Sequence, residues 1–246
     1  MIADPLAPLL DLTGVAEELA AARDRADEAL RHRALRRQGG PVAAEASLRG
    51  AVASAALEGS AYEVADVRAG TVTDPVLQGA LRVAGAVGGL VDLWGTAPRQ
   101  VLARLHVLAA RGSVPEEELG RPSGDPAVAA RLDGLAGLVT GGTSVPPIML
   151  AAVVHGELLA LRGFAGPNGV VARAAARLAL IGSGVDPRGL LAVEVGHQER
   201  QPEYVGAAGA FATGTPDGLR SWFHHYAEAV RRAAQELTAI ADLFLR

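Results

Sequence analysis

Two apolar helical segments joined by one short turn constrain the fold of this chain more than any other stretch. Residues 146–161 and 170–181 are rich in Ala, Leu, Val and Ile, and the turn between them contains Gly, Pro and Asn. The second segment carries Arg173 and Arg177, which are four residues apart and therefore share a helix face. An unpaired buried charge costs several kcal/mol, so a guanidinium in this apolar helix needs a partner.

The start of the second segment is a predicted anion site. A helix that begins just after Asn168-Gly169 leaves its first backbone N–H groups free. The positive end of the helix dipole then points into the turn, where it favours a negative charge.

The composition favours an all-α fold. Half of the 246 residues are hydrophobic and only 4% are aromatic, so Ala, Leu and Val must form the core, which suits closely packed helices better than a sheet. The net charge of −4 gives no reason to expect nucleic-acid binding. No Cys is present, which excludes thiolate metal sites and disulfides. The beginning of the chain does not resemble a signal peptide, and Gly and Pro interrupt the uncharged run 134–156, so we expect a cytoplasmic protein without a membrane partner.

The turn and its flanks resemble the signature of the Fic (filamentation-induced-by-cAMP) family, H-x-F-x-[D/E]-G-N-G-R-x-x-R. Residues 162–173 read RGFAGPNGVVAR, and four of them match: Phe164, Asn168, Gly169 and Arg173. Four others differ: Arg162 stands in place of the catalytic His, Gly166 in place of the metal-binding acid, Pro167 in place of a Gly and Val170 in place of the first Arg.

Three further stretches fit the same family in order and spacing. His155 matches a His that is common in the helix before the signature. Residues 54–59, SALEGS-like in pattern and ending in Glu58-Gly59, fit the family's inhibitory motif [S/T]-x-x-x-E-[G/N]. Arg200 and Tyr204 fit the R-x-x-x-Y stretch downstream of the core. We therefore interpret residues 45–230 as a degenerate Fic-like helical bundle.

The resemblance also suggests the organisation of the chain. We expect an N-terminal helix in residues 1–42 packed on a Fic-like domain formed by residues 43–246. The polar loop between Gly112 and Pro126 contains Pro and Glu where the family has a β-hairpin flap, so the flap should be shortened or missing.

In the family, the resemblance implies transfer of AMP from ATP to a hydroxyl of a protein target. Arg162 cannot accept a proton near neutral pH, because its pKa exceeds about 12. Gly166 has no oxygen ligand for Mg²⁺, and Val170 removes one cation from the phosphate site. We therefore predict a pseudoenzyme with no catalytic residue, no metal and no obligatory cofactor. A phosphate or nucleotide remains a candidate ligand of Arg162, Asn168, Gly169 and Arg173.

Glu58 and Arg173 are predicted to form an ion pair. In inhibited family members, the equivalent pair blocks the γ-phosphate of ATP, so the resemblance implies an inhibitory role. The alternative, which we favour, is that Glu58 simply neutralises an arginine in an apolar helix. For Arg162 two interpretations stay open: an exposed arginine at a helix end, or a cation of the anion pocket.

Several other patterns predict local structure. A helix should begin with Thr13 as its N-cap and continue to about Arg37, ending at Gly39-Gly40-Pro41, with the basic run 31–37 at its C-terminus. Another should open at Asp74-Pro75, with Gly85, Gly88 and Gly89 as points of close approach. The histidines are expected to be hydrogen-bonded core residues and not metal ligands.

The last helix has a heptad pattern. Its apolar positions alternate at spacings of four and three, so we expect it to pack along its own domain, with a homodimer as the alternative; they are Leu219, Phe223, Tyr226, Val230, Ala233, Leu237, Ile240 and Phe244.

Three functions fit the sequence. The first is a catalytically silent protein that binds an unknown protein partner, with an anion or nucleotide in the pocket. The second is a transferase of altered chemistry that uses a nucleotide or nucleotide-sugar donor. The third is a structural subunit that assembles through the last helix.

Overall fold

The described part of the chain, residues 4–245 of a computed structural model, is built from α-helices, as its composition predicts. Short 3-10 turns lie at Ala7–Asp11, Val87–Leu90 and Glu116–Glu118, and a π-type turn lies at Leu138–Gly142. The α-helices are α1 Val15–Leu30, α2 Leu35–Ala56, α3 Val64–Arg68, α4 Pro75–Ala86, α5 Val91–Trp94, α6 Pro98–Ala110, α7 Pro126–Gly137, α8 Pro147–Leu161, α9 Asn168–Gly182, α10 Val193–Glu199, α11 Gln201–Ala212 and α12 Pro216–Leu243.

The α8–α9 hairpin lies between two apolar clusters. Residues of the first half of α8, such as Met149 and Ala152, pack in a cluster with α1, α11 and α12. Leu158 near the end of α8 and Val171 at the start of α9 pack in the other cluster, with α4 and α6. Because α8 and α9 are covered on both sides, the turn that joins them is held by well-packed helices. This position confirms that the two apolar segments organise the chain.

The heptad pattern of α12 is used inside the chain. Phe223, Tyr226, Val230 and Ile240 are completely buried, and Leu237 is nearly so. They pack against α1, α2, α8, α10 and α11. The prediction that this helix packs along its own domain is confirmed, and its apolar face leaves no free surface for a partner.

The predicted boundaries of the N-terminal helices are wrong. Helix α1 ends at Leu30, and α2 begins at Leu35 and contains Gly39-Gly40-Pro41, so the proposed division at residue 42 falls within α2. Pro41 is tolerated because Gln38, at φ −113° and ψ 19°, interrupts the helix just before it. The missing N–H of Pro41 then falls in the first turn of the continuing helix, where no partner is needed. Thr13 is not the cap either, since Gly14 occupies that position at φ 79°.

The basic run lies at the α1–α2 junction and not at a single helix end. Arg31 follows the last residue of α1, whereas Arg36 and Arg37 lie in the first turn of α2. The guanidinium of Arg188 donates to the carbonyls of Leu30 and Leu35 at 3.3 Å each. Carbonyl groups at the end of α1 are therefore satisfied by an arginine that is distant in sequence.

The flap expected in the loop after α6 is missing from the described chain. Residues 111–125 contain one isolated β-bridge, between Arg111 and Val114, and the 3-10 turn Glu116–Glu118. The continuous segment Pro75–Trp94 passes a length-and-hydropathy test for a membrane span, which core helices also pass. It packs on α2, α6 and α9.

The close approach in this segment occurs at a glycine that the sequence did not indicate. A Cβ on Gly79 would lie 2.1 Å from the carbonyl oxygen of Ala109, so α4 and α6 touch there through their backbones. Gly85, Gly88 and Gly89 have open space instead, and their prediction as contact points is wrong.

Candidate anion site at the α8–α9 turn

The side chain of Asn168 closes the turn between α8 and α9. Its amide oxygen accepts from the Phe164 N–H at 3.0 Å. Its amide nitrogen donates to the carbonyls of Phe164 at 2.6 Å and Gly166 at 3.1 Å. Both polar groups of this predicted ligand residue are therefore engaged in shaping the turn, and its contribution to an anion site is limited to the backbone.

His106 fastens the turn to the loop that follows α6, a role that the sequence did not reveal. One ring nitrogen, Nε2, lies 2.7 Å from the carbonyl of Ala165, and the other, Nδ1, accepts from the Gly120 N–H at 2.9 Å. The ring also stacks on Phe164 with centroids 4.8 Å apart. Burial lowers the pKa of His106, which keeps the ring neutral with Nε2 as donor and Nδ1 as acceptor. The expectation of a hydrogen-bonded core histidine is confirmed here.

We expect His106→Phe to loosen this loop. The aromatic ring would keep the stacking on Phe164 but would leave the Ala165 carbonyl and the Gly120 N–H without partners, at a cost of about 1–3 kcal/mol. Amide hydrogen exchange should rise in residues 111–125, and proteolysis should begin there. His32→Phe is the control, because that ring lies at the α1–α2 junction near Asp242. Unchanged exchange at Gly120 in the His106 variant would contradict this role.

The loop also covers the position where the family signature has its metal-binding acid. Gly166 has φ 74°, a conformation that L residues rarely adopt, and a Cβ there would lie 2.7 Å from Cγ1 of Val114. In addition, the Ser123 N–H donates to the carbonyl of Gly163 at 2.7 Å. The glycine at position 166 is therefore required by both backbone conformation and packing.

We expect Gly166→Asp to destabilise the protein without creating a Mg²⁺ site. The left-handed conformation costs a non-glycine residue about 1–2 kcal/mol, and the contact with Val114 adds to this cost. Thermal unfolding with and without Mg²⁺ tests both parts. Gly184→Asp is a matched control, because that glycine has φ 77° and open space around it. A Mg²⁺-dependent rise of the melting temperature in the Gly166 variant alone would contradict the expectation.

Glu58 and Arg173 form the predicted ion pair. Arg173 Nη2 lies 2.8 Å from Glu58 Oε1, and the same guanidinium donates to Ser54 Oγ and the Ser54 carbonyl, each at 2.9 Å. Its Nη1 donates to Tyr204 Oη at 3.2 Å. Burial disfavours the charge, but the interactions with Tyr204 and Glu58 outweigh it and raise the pKa of Arg173. The side chain of Arg173 is 2% exposed and that of Glu58 22%, so only the carboxylate reaches solvent.

The carboxylate of Glu58 occupies the start of α9. A Cβ on Gly169 would lie 2.0 Å from Glu58 Oε1, so the carboxylate rests directly against the first turn of this helix. The positive end of a helix dipole favours an anion at that place. The negative charge that the sequence predicted at this helix start is therefore provided by the chain itself.

A cleft of about 440 Å³ opens beside the ion pair. Its walls include Arg162, Gly166, Arg173 and Tyr204, together with apolar residues of α8 and α11. Arg162 caps the C-terminus of α8 at φ 46°, is exposed, and forms no ion pair with a described residue. Both interpretations of Arg162 survive, because it lies at a helix end and also faces the cleft.

The remaining signature positions are buried. Val170 packs in the apolar cluster with α4 and α6 and is 2% exposed. Arg177, one turn beyond Arg173, donates to the Gly189 carbonyl at 2.6 Å and lies 3.9 Å from Glu194. A partner for this arginine was required by its burial, but Glu194 was not identifiable from the sequence.

Behind Arg173 lies a group of buried rings. His155 Nε2 is 3.0 Å from Tyr204 Oη, and His197 Nδ1 is 2.9 Å from His225 Nε2. The expectation that His155 is a hydrogen-bonded core residue is confirmed, and His224 and His225 do point in different directions, with His224 near Glu18. Within residues 4–245, no group of three or more His, Asp or Glu has the geometry of a metal site.

Comparison with known proteins shows the fold. No family profile and no curated protein sequence matches the chain. A Fic family protein from Desulfovibrio desulfuricans is similar in structure, with a TM-score of 0.75 and 22% identity over 92% of this chain and 75% of that one. Residues 134–508 of Fic-1 from C. elegans give a TM-score of 0.70 and 20% identity over 96% of this chain and 73% of that one. The chain therefore has a Fic-like fold.

Proposed function

We propose, from its Fic-like fold, that this chain is a degenerate member of the Fic family that does not transfer AMP and that acts by binding a protein partner. The observation that carries the proposal is Gly166, whose conformation and contact with Val114 leave no place for the carboxylate that would hold Mg²⁺. Arg162 at the position of the general base supports it as well, because a guanidinium cannot accept a proton at neutral pH.

An anion or a nucleotide is the small ligand that suits the cleft. Its volume of about 440 Å³ lies in the range of small-molecule pockets, and Arg162, Arg173 and the start of α9 supply positive charge. Glu58 lies against that helix start, so a phosphate at the same place requires the carboxylate to move. The ion pair thus acts against anion binding, whether its main role is regulatory or structural.

The apolar wall of the cleft supports a protein partner. Val205 on α11 is 63% exposed, the highest value among the exposed large hydrophobic residues of the described chain. Leu159, Ala160 and Ala208 line the cleft beside it. Apolar side chains next to an arginine are typical of surfaces that bind other proteins.

A transferase of altered chemistry is the second candidate, because Arg162 faces the cleft without an ion-pair partner among the described residues and could hold a nucleotide or nucleotide-sugar donor. An assembly subunit is less well supported, since the heptad face of α12 is buried within the chain. Assembly would have to use another surface.

A label-transfer assay combined with thermal shift tests the proposal. We expect no transfer of label from α-labelled ATP to the chain itself or to added protein, in the wild type or in Glu58→Gly. We expect ATP to raise the melting temperature of Glu58→Gly more than that of the wild type, with no dependence on Mg²⁺. Glu63→Gly is the control, because this exposed glutamate lies outside the cleft.

Two results would contradict the proposal. Label transfer that Arg162→Ala abolishes would show that the site is catalytic and would favour the second candidate. Stabilisation by ATP that appears only with Mg²⁺ would show that a metal ligand exists despite the glycine at position 166.

A further inference from the structure

A small closed cavity lies in the core behind Arg173, separate from the cleft at the α8–α9 turn. It leaves about 10 Å³ for the centre of a water-sized sphere, which is enough for one water molecule. Polar residues form most of its wall, and two apolar residues, Leu180 and Val193, complete it with Ala176. The polar ones are His155, Arg173, Arg177, Glu194, His197 and Tyr226.

Three polar atoms of this wall have no hydrogen-bond partner among the described protein groups. They are Nδ1 of His155, Nε2 of His197 and Oη of Tyr226. His155 and His197 are 1% exposed and Tyr226 is completely buried, so bulk solvent cannot satisfy these atoms. A buried polar group left without a partner costs about 1–3 kcal/mol, which makes three such atoms around one cavity an expensive arrangement.

The charges around the cavity are balanced. Arg173 is paired with Glu58, and Arg177 lies 3.9 Å from Glu194. Burial lowers the pKa of His155 and of His197 well below the ordinary value, so both rings are neutral. A ligand with a net charge would disturb this balance. A neutral ligand that both donates and accepts hydrogen bonds would not.

We propose that this cavity is a binding site for a single ordered water molecule held by His155, His197 and Tyr226. Such a water can accept from one of these groups and donate to another, which matches the two to four polar partners of buried waters in proteins. It also lies beside Arg177 and Glu194, whose Nε and Oε2 atoms likewise have no partner, and it can bridge a pair too far apart for a direct hydrogen bond.

The water would connect two polar networks of the core. On one side, the ring of His155 bonds to Tyr204, which bonds to Arg173 and thus to Glu58. On the other, His197 bonds to His225 on α12. The water therefore joins the ion pair at the cleft to the C-terminal helix through hydrogen bonds, and it serves the fold whether or not the cleft binds a nucleotide.

The sign of a stability change tests the proposal. If the water bonds to Tyr226, Tyr226→Phe removes a satisfied hydroxyl, and the melting temperature should fall by about 2–4 °C. If the hydroxyl has no partner, the same change removes an unsatisfied group, and the melting temperature should stay the same or rise; either result would overturn the proposal. Tyr62→Phe is the control, because Tyr62 is 39% exposed.

A high-resolution crystal structure gives the second measurement. We expect a water peak within hydrogen-bonding distance of at least two of the three atoms. No peak would overturn the assignment. Crystals grown in bromide would distinguish a halide from water, because an anomalous peak in the cavity would identify an anion site and reject a neutral ligand.

Discussion

Replacing Arg173 with Met should lower the free energy of unfolding by about 3–5 kcal/mol, the range seen when one member of a buried ion pair is removed. Methionine preserves the unbranched stem but loses all five contacts of the guanidinium. Ser54, Glu58 and Tyr204 would each lose a hydrogen bond, and the Glu58 carboxylate would remain against α9 without its cation.

Arg162→Met is the matched control within the same signature. Arg162 is exposed and lies in the same cleft, but it has no ion pair with a described residue, so its replacement should change stability by no more than about 0.5 kcal/mol. Urea unfolding of both variants measures the difference. Equal effects would show that the Glu58–Arg173 pair does not stabilise the fold.

Stability should fall steeply as the pH drops from 6.5 toward 4. Burial lowers the pKa of His225 from 6.5 to about 4, and burial lowers the pKa of His155 and His197 well below 6.5. The folded values lie below the unfolded ones, so the unfolded chain binds more protons in this range and gains free energy relative to the folded state. Each such histidine contributes a slope of about 1.4 kcal/mol per pH unit, and the full effect is absent above pH 6.5.

The adjacent pair His224–His225 provides the control for this prediction. Thermal unfolding across the pH range should show a shallower slope for His225→Gln, because one buried proton acceptor has been removed. His224→Gln should keep the wild-type slope, since the His224 side chain is 60% exposed. The difference between the two variants also cancels Asp186, whose pKa is raised by burial and whose protonation acts in the opposite direction. Identical slopes would show that the His225 ring is not a source of acid sensitivity.

Short-range patterns were enough to predict most of the helices. Pro98–Ala110 has the predicted boundaries, and Asp74 caps α4 by accepting from the Leu77 N–H at 2.8 Å. The resemblance to the Fic signature also brought Glu58 and Arg173 together, although they are 115 residues apart. Periodicity and capping depend on neighbours in the chain, so a single sequence contains this information.

The break between α1 and α2 was missed because two local signals competed. Gly39-Gly40-Pro41 is a typical helix end, but packing of α1 against α12 and the carbonyl contacts of Arg188 end α1 at Leu30. Local propensity is a weak signal when tertiary contacts favour another boundary.

The sequence by itself determined the all-α fold, the α8–α9 turn, the loss of the signature's proton acceptor and acid, and the partner of Arg173. Only the tertiary structure decided that His106 holds the turn, that Val114 packs on Gly166, that Glu194 lies near Arg177 and that three histidines meet behind Arg173. The physical reason is that these contacts depend on where side chains of distant helices point once the core is packed. No spacing along the chain encodes that direction.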